Sequence, residues 1–553
     1  MVGLLALHLG PSAADVVTFD WRVTYLFTEY DGVFITSFGI NDKPADQAII
    51  KVELGQEVEV RVTNELDEPT CLHWHGMKQL GTQEMDGVSD LTQCHISPKG
   101  TAVYRFLPNK PGTFWWHSHH GVQYAFCLRG PLIVYAPPNE RQDWEKEIDS
   151  EFIITMVDLY HREPFPKRMF DNILINNRGR YNCTAAAHHN FTQCTDDQPL
   201  AKFHFQAGEK YLLRLINMAA LSPIVFSIDG HEFRVVAADG DYLQPSELMN
   251  SIRLNTGQRY DIIVETISDS VQTPIGPFWM RAFGFHGLPW TRGDAAVAGE
   301  GFVYNGRAIV TYGNGNDYAE PTSTQAIIQT TVNEFDFVPL IPNTLPTVAS
   351  DRAVLQFKMQ DGKGYFSIDG GDFYHFEIPY PPPLFSIAGG LKTEQLPINA
   401  NARKIEYGKH IEVVLVNAKD EQHPFHMHAH SLFVVGWGVA SIDQIYKNEL
   451  PPLKLDSAMT RDVYTVPPCT SDGNGGCIDA GYIVLRFDAD NSGVWIFHCH
   501  IDWHLEAGLS MMLVEGEVEL QQRGVNSFAK SMLSVCGSNA TFSDMAPNPK
   551  SRQ

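Results

Sequence analysis

The sequence predicts an all-β protein built from three copies of one sandwich or barrel domain. Short alternating runs such as Glu57–Val62 are separated by Gly, Pro and Asn turns, with few long amphipathic segments. One strand recurs: GQEVEVRVTN (55–64), GEKYLLRLIN (208–217) and GKHIEVVLVN (408–417) share a turn glycine, apolar residues three, five and seven places on, and an asparagine nine places on. Each copy leads into comparable downstream sequence, which marks a domain repeat. Length agrees, since 553 residues exceed one ordinary core and predict two to four domains.

The copies differ downstream of this strand. After the first comes HWHG (73–76) and after the third HPFHMHAHSLFVV (423–435), whereas the second gives FSIDGHEFRVV (226–236). Aligning His231 with His430 sets Ser227 and Asp229 opposite His426 and His428. A second motif behaves alike: PGTFWWHSH (111–119) and SGVWIFHCH (492–500) carry His-x-His, where IGPFWMRAF (275–283) has Arg281 and Phe283. Along a strand, residues i and i+2 share a face, so each His-x-His presents two imidazoles together. Four pairs supply eight nitrogens, and packing of the first copy against the third would gather them into a polynuclear metal site with the second copy as spacer. A lone histidine is more often a core residue. Eight in matched pairs, missing together from one copy, favour ligands.

Cys499 selects the metal. It lies between His498 and His500, so its side chain faces away from theirs, toward His423 and His504. A His₂Cys trigonal set is diagnostic of blue copper, and imidazole-rich sites bind copper(II) tightly. Ser118 takes the matching place in the first copy, so only the third would hold this centre. One or two peptide units would carry an electron from the Cys499 sulfur to His498 and His500.

Together HWHG, HSH, HPFHMH and HCHIDWHLEAGL resemble the three-domain multicopper oxidases, particularly fungal laccases and laccase-like enzymes. The resemblance implies three cupredoxin-like Greek-key domains at 15–145, 146–320 and 321–553, after a possible signal-peptide remnant at 1–14. It implies four copper ions: type 1 on His423, Cys499 and His504, type 2 on His73 and His426, and type 3 on His75, His117, His119, His428, His498 and His500. Leu509 occupies the axial place, where a non-coordinating side chain raises the potential, while Met511 and Met512 read as core residues. Asp86 and Asp502 are expected to donate protons for oxygen reduction, or to orient ligands. His120 and His430 are assigned hydrogen bonding or packing, and His188 and His189 a solvated loop. The resemblance also pairs Cys94 with Cys536.

Of nine cysteines, Cys183 with Cys194 and Cys469 with Cys477 bracket short polar loops, as local disulfides do in an oxidising compartment; Cys71 and Cys127 stay open between buried thiols and a mutual pair. The apolar start followed by Ser12, Ala13 and Ala14, together with sequons at Asn182, Asn190 and Asn539, fits a secreted glycoprotein. Forty-one basic against 65 acidic residues give a net charge of −24, which argues against nucleic acid and acidic membrane partners. No uncharged apolar run approaches the ~18 residues of a membrane span.

The expected activity is one-electron oxidation of phenols or aromatic amines by a monomeric secreted enzyme that reduces dioxygen to water. Ascorbate and ferrous iron are the rival donors on the same core, and a non-catalytic copper carrier is the rival of another class. Two departures bear on the donor. Fungal laccases place an acid near Leu221 and Ser222, where none stands here, and ADGDYLQP (238–245) resembles plant ascorbate oxidases; the tail DMAPNPKSRQ lacks the terminal plug of many ascomycete laccases, so no C-terminal blocking of the oxygen channel is expected.

Overall fold

The computed structural model describes residues 15–162, 170–188, 191, 193–267, 276–285, 303–312, 320–323, 332–474 and 476–537. Residues 1–14, His189, Asn190, Asn539 and the tail from 544 lie outside them.

Each copy of the repeat folds as a pair of sheets. In the first, Val16–Thr28, Glu57–Asn64 and Thr101–Phe106 belong to a five-stranded sheet, and Ile50–Glu53, Arg129–Tyr135, Gly112–Ser118 and Leu72–His75 form a four-stranded one. The second pairs a six-stranded with a five-stranded sheet, and the third a seven-stranded with a five-stranded sheet. The repeated strand sits in the same setting each time. It runs parallel to the first strand of its unit (Val16–Thr28, Ser150–Leu159 or Asp351–Gln360) and antiparallel to Thr101–Phe106, Arg259–Glu265 or Cys477–Asp488.

The spacing of the repeat explains its burial. Val58, Val60 and Val62 turn inward and are fully buried, while Arg61 between them is exposed; each such valine contributes roughly 1.5–3 kcal/mol. The closing asparagine has its own cause. Asn64, Asn217 and Asn417 are all buried, and each donates its amide to two carbonyls: Glu68 and Ile96, Ser222 and Leu254, Glu421 and Pro467. Each also accepts a backbone N–H two residues on at 3.0 Å. Asparagine carries both donors and an acceptor, so it pins the loop that leads into the next motif strand in all three units.

Three disulfides join Cys94 to Cys536, Cys183 to Cys194 and Cys469 to Cys477. The first ties the C-terminal helix region to the first unit, whose core also receives Met532. Cys71 and Cys127 are unpaired buried thiols. Cys183–His188 is a short helix instead of the expected loop, because its alanine run favours helix. No helix among the described residues is long and apolar enough to cross a membrane.

Candidate metal centre

Backbone register brings the histidine motifs into line. Leu72–His75 pairs antiparallel with Gly112–Ser118, setting His73 opposite His117, and His423–Met427 pairs with Gly493–Cys499, setting His426 opposite His498. The first and third units then meet face to face. His73 stacks on His428 and His75 on His426, each pair with ring centroids 3.9 Å apart. His119 lies 5.3 Å from His498 and His75 4.9 Å from His500, centroid to centroid. Possible ligand atoms fall within 4.8 Å of one another in the groups His73/His75/His426, His75/His117/His500 and His119/His428/His498. All eight sequence-predicted imidazoles therefore line one seam.

Hydrogen bonds fix which ring nitrogen faces the seam. A backbone carbonyl only accepts, so the Nδ1 atoms of His73, His117, His426 and His498, 2.7–2.9 Å from the carbonyls of Asp86, Ser118, Asp462 and Cys499, carry the hydrogen. Their Nε2 lone pairs point inward, and those of His73, His117 and His426 have no partner. His428 Nδ1 donates to Asp86 Oδ2 at 2.8 Å, which leaves its Nε2 facing His498 Nε2 at 3.2 Å, lone pair against lone pair. Burial holds His75, His117, His119, His426, His428 and His500 well below the usual imidazole range, and lowers His498 to about 4. Neutral imidazoles with unpaired, converging lone pairs fit metal cations and little else.

A second group sits behind the same strand. Cys499 Sγ is 3.6 Å from His423 Nδ1 and 3.6 Å from His504 Nδ1. Burial lowers His423 to about 3 and pushes the Cys499 thiol up, so a cation bound there must displace the thiol proton. Leu509, fully buried, closes this group through backbone bonds: Cys499 N–H to the Leu509 carbonyl at 3.1 Å and Leu509 N–H to the His504 carbonyl at 2.8 Å. Gly364 lies against it, and a Cβ there would come within 2.5 Å of the Leu509 backbone.

The two acids behave differently. Asp86 orients ligands, accepting from His428 through its carboxylate and from His73 through its carbonyl. Asp502 is buried, its Oδ2 has no hydrogen-bond partner, and burial pushes its carboxyl well above the usual range. Near Leu221 and Ser222 the structure brings in Asp158, but its oxygens accept the backbone N–H groups of Ala220, Leu221 and Ser222. His120 bonds Ser89 Oγ at 3.0 Å and His430 bonds the His428 carbonyl at 3.0 Å, the hydrogen-bonding roles expected of them.

Family models described as multicopper oxidase match residues 28–139, 150–306 and 376–519. A laccase of Phlebia radiata is 33% identical over 83% of this chain and 82% of its own. The chain belongs to the multicopper oxidase family. Members are copper-dependent oxidoreductases. Another relative, the iron transport multicopper oxidase fetC of Epichloe festucae, is 29% identical over 94% of this chain and 80% of its own. Among solved structures, the all-β, cupredoxin-like fold matches Fet3p, a multicopper oxidase that functions in iron import (TM-score 0.78, 24% identity, 94% of each chain). It also matches the Botrytis aclada laccase (TM-score 0.77, 24% identity, 96% of this chain and 93% of that one).

Sequence reasoning missed part of this multicopper oxidase's centre. Asp462 accepts from His75 Nε2 at 3.1 Å, and Arg259 of the middle unit grips Asp462 at 2.6 and 2.7 Å. The middle unit, expected to be a spacer, reaches the seam. No local pattern announced this, because Asp462 and His75 are 387 residues apart.

Proposed function

We propose that this multicopper oxidase takes single electrons from phenols or aromatic amines beside His504 and reduces dioxygen to two waters at the seam. The assignment of copper rests on the lone-pair geometry. His423, Cys499 and His504 hold type 1 copper, His73 and His426 type 2, and two type 3 ions lie on His75, His117 and His500 and on His119, His428 and His498, four in all. When bound, copper supplies one-electron acceptance at Cys499 and oxygen reduction at the histidine cluster.

The chain's own part is placement and protons. Cys499 ends the strand that carries His498, and His500 follows it directly, so one short covalent path joins the sulfur to two cluster imidazoles. Leu509 fills the axial place without a donor atom. Asp502, whose carboxyl burial pushes up, is assigned as the proton donor; Asp86 keeps His428 turned inward. We read the units as spanning 15–145, 146–320 and 321–553, and the protein as a secreted monomer.

The observation that carries this reading is the set of eight imidazoles converging on a seam directly in front of a His₂Cys group. An absorption spectrum with a copper count tests it: strong red-region absorbance and four coppers per chain are expected. Iron transport relatives favour ferrous iron as the second donor reading. Against it, the carboxylate near Leu221 and Ser222 is that of Asp158, which is taken up by backbone N–H groups. Steady-state assays on a phenol, ascorbate and Fe(II) separate the donors, and dominant turnover of Fe(II) would overturn the phenol assignment. Oxygen uptake with any donor excludes a copper carrier, which consumes none.

A further inference from the structure

We propose that Arg259, carried by the middle unit, is a positioning residue that fixes the metal-binding tautomer of His75 through Asp462. The inference rests on the reading of His75 as a copper ligand.

Four seam imidazoles take their tautomer from a backbone carbonyl, which can only accept, and His428 takes its own from the Asp86 carboxylate. His75 takes its tautomer from the Asp462 carboxylate at 3.1 Å, which serves as its acceptor only while it is correctly turned. Asp462 is almost completely buried, and left alone it would be costly to keep charged. Arg259 meets both needs. Its Nη1 lies 2.6 Å from Asp462 Oδ1 and its Nη2 2.7 Å from Oδ2, a fork that fixes charge and plane together. The guanidinium is itself pinned, with Nη1 donating to the Gly257 carbonyl at 3.0 Å and Nε to the Thr113 carbonyl at 3.1 Å.

With Asp462 held as an acceptor, the hydrogen between it and His75 belongs to Nε2. The lone pair then sits on Nδ1, 3.3 Å from His500 Nε2. The other tautomer would put an N–H into the seam and a lone pair against the carboxylate. The same middle-unit turn also seats the partner imidazole. Thr256 Oγ1 donates to the His500 carbonyl at 2.9 Å, and Gly257, at φ +83°, lies so close that a Cβ would meet the His500 ring at 2.9–3.1 Å. One turn from the unit that lacks the His-x-His pairs therefore holds both imidazoles of a pair.

The test uses full-length protein with ¹⁵N-labelled histidine. In the metal-free wild type, His75 is expected to show protonated Nε2 and bare Nδ1. In R259K, which keeps the charge but loses the fork, the Nε2-protonated fraction falls. Copper binding at the histidine cluster, measured by chelator competition, weakens about 10- to 100-fold, the usual cost of losing a ligand-orienting partner. The red-region band of the Cys499 site stays, which a general loosening of the fold would not allow. The proposal is overturned if folded R259K keeps the wild-type tautomer and cluster affinity, or if both copper sites weaken in equal proportion. Should R259K not fold, the charge-neutral R259Q/D462N variant takes its place with the same two outcomes. Wild-type protein that binds no copper at the cluster overturns the functional reading instead, and the metal-free tautomer measurement tells the two failures apart.

Discussion

At equivalent registers the middle and third units solve one packing problem in opposite ways. Ser227 faces Arg281 where His426 faces His498 in the third unit. Asp229 and Arg281 then close on each other with two bonds of 2.8 and 2.7 Å, at the places where His428 and His498 face each other with bare nitrogens. The ion pair completes itself: its charges cancel and its hydrogen bonds are made. The imidazole pair is left incomplete and needs a cation from outside. The same β scaffold therefore carries either a finished interior or a receptor, and two side chains per position decide which.

Grafting one solution onto the other is the most severe way to break that comparison. His428→Asp with His498→Arg should leave a folded chain with the red-region band of the Cys499 site, while cluster copper and oxygen uptake fall to background. Retention of the cluster copper in a metal count would mean that the imidazole pair is not a receptor.

Opening the middle pair is the reverse test. Asp229→Ala strands a buried guanidinium and should destabilise the protein by about 3–5 kcal/mol, read in urea, with the copper count unchanged. A loss below about 1 kcal/mol would mean that the pair does not hold the middle unit.

Acid sharpens the contrast further, because the seam imidazoles of the outer units refuse protons. His423 and His498 titrate at about 3 and about 4 when folded, below their ordinary 6.5. Between pH 6.5 and 4 the unfolded chain binds protons that the folded chain refuses, so stability rises with pH across that window and is lost as pH falls. The two groups together give about 3 kcal/mol per pH unit in the metal-free chain. Urea midpoints at pH 7, 6 and 5 should fall in that order; a flat series would show that these rings are not held neutral.

Leu509→Met should have the smallest effect. A thioether in the axial place lowers the potential of the Cys499 site while the copper count stays unchanged. Redox titration that finds the potential unchanged or raised would remove Leu509 from that role.

Much of this was legible in the sequence, and the reason is geometric. A repeated strand with its closing asparagine and four His-x-His doublets are local patterns, and strand alternation converts them into faces without knowledge of the tertiary structure. The disulfide pairs and the His₂Cys group come from the same short-range logic and from family resemblance. The rest depends on contacts between distant segments. Asp462 meets Arg259 across 203 residues, and nothing in TRDVY or NTGQRY marks either residue as part of a metal centre. The middle unit looked inert because its His-x-His pairs are gone, yet its contribution runs through a guanidinium that grips a carboxylate of the third unit and a missing side chain at Gly257. The helix at Cys183–His188 was missed because the paired cysteines suggested a loop and the alanines between them were not weighed.

The stacking of His73 on His428 and of His75 on His426 has a bearing on biogenesis. Each stack draws one ring from the beginning of the polypeptide and one from near its end, and His498 and His500 are made later still. During synthesis the nascent chain holds only half-receptors, two rings here and two there. Cofactor insertion at the seam thus requires that both outer units be made and folded against each other.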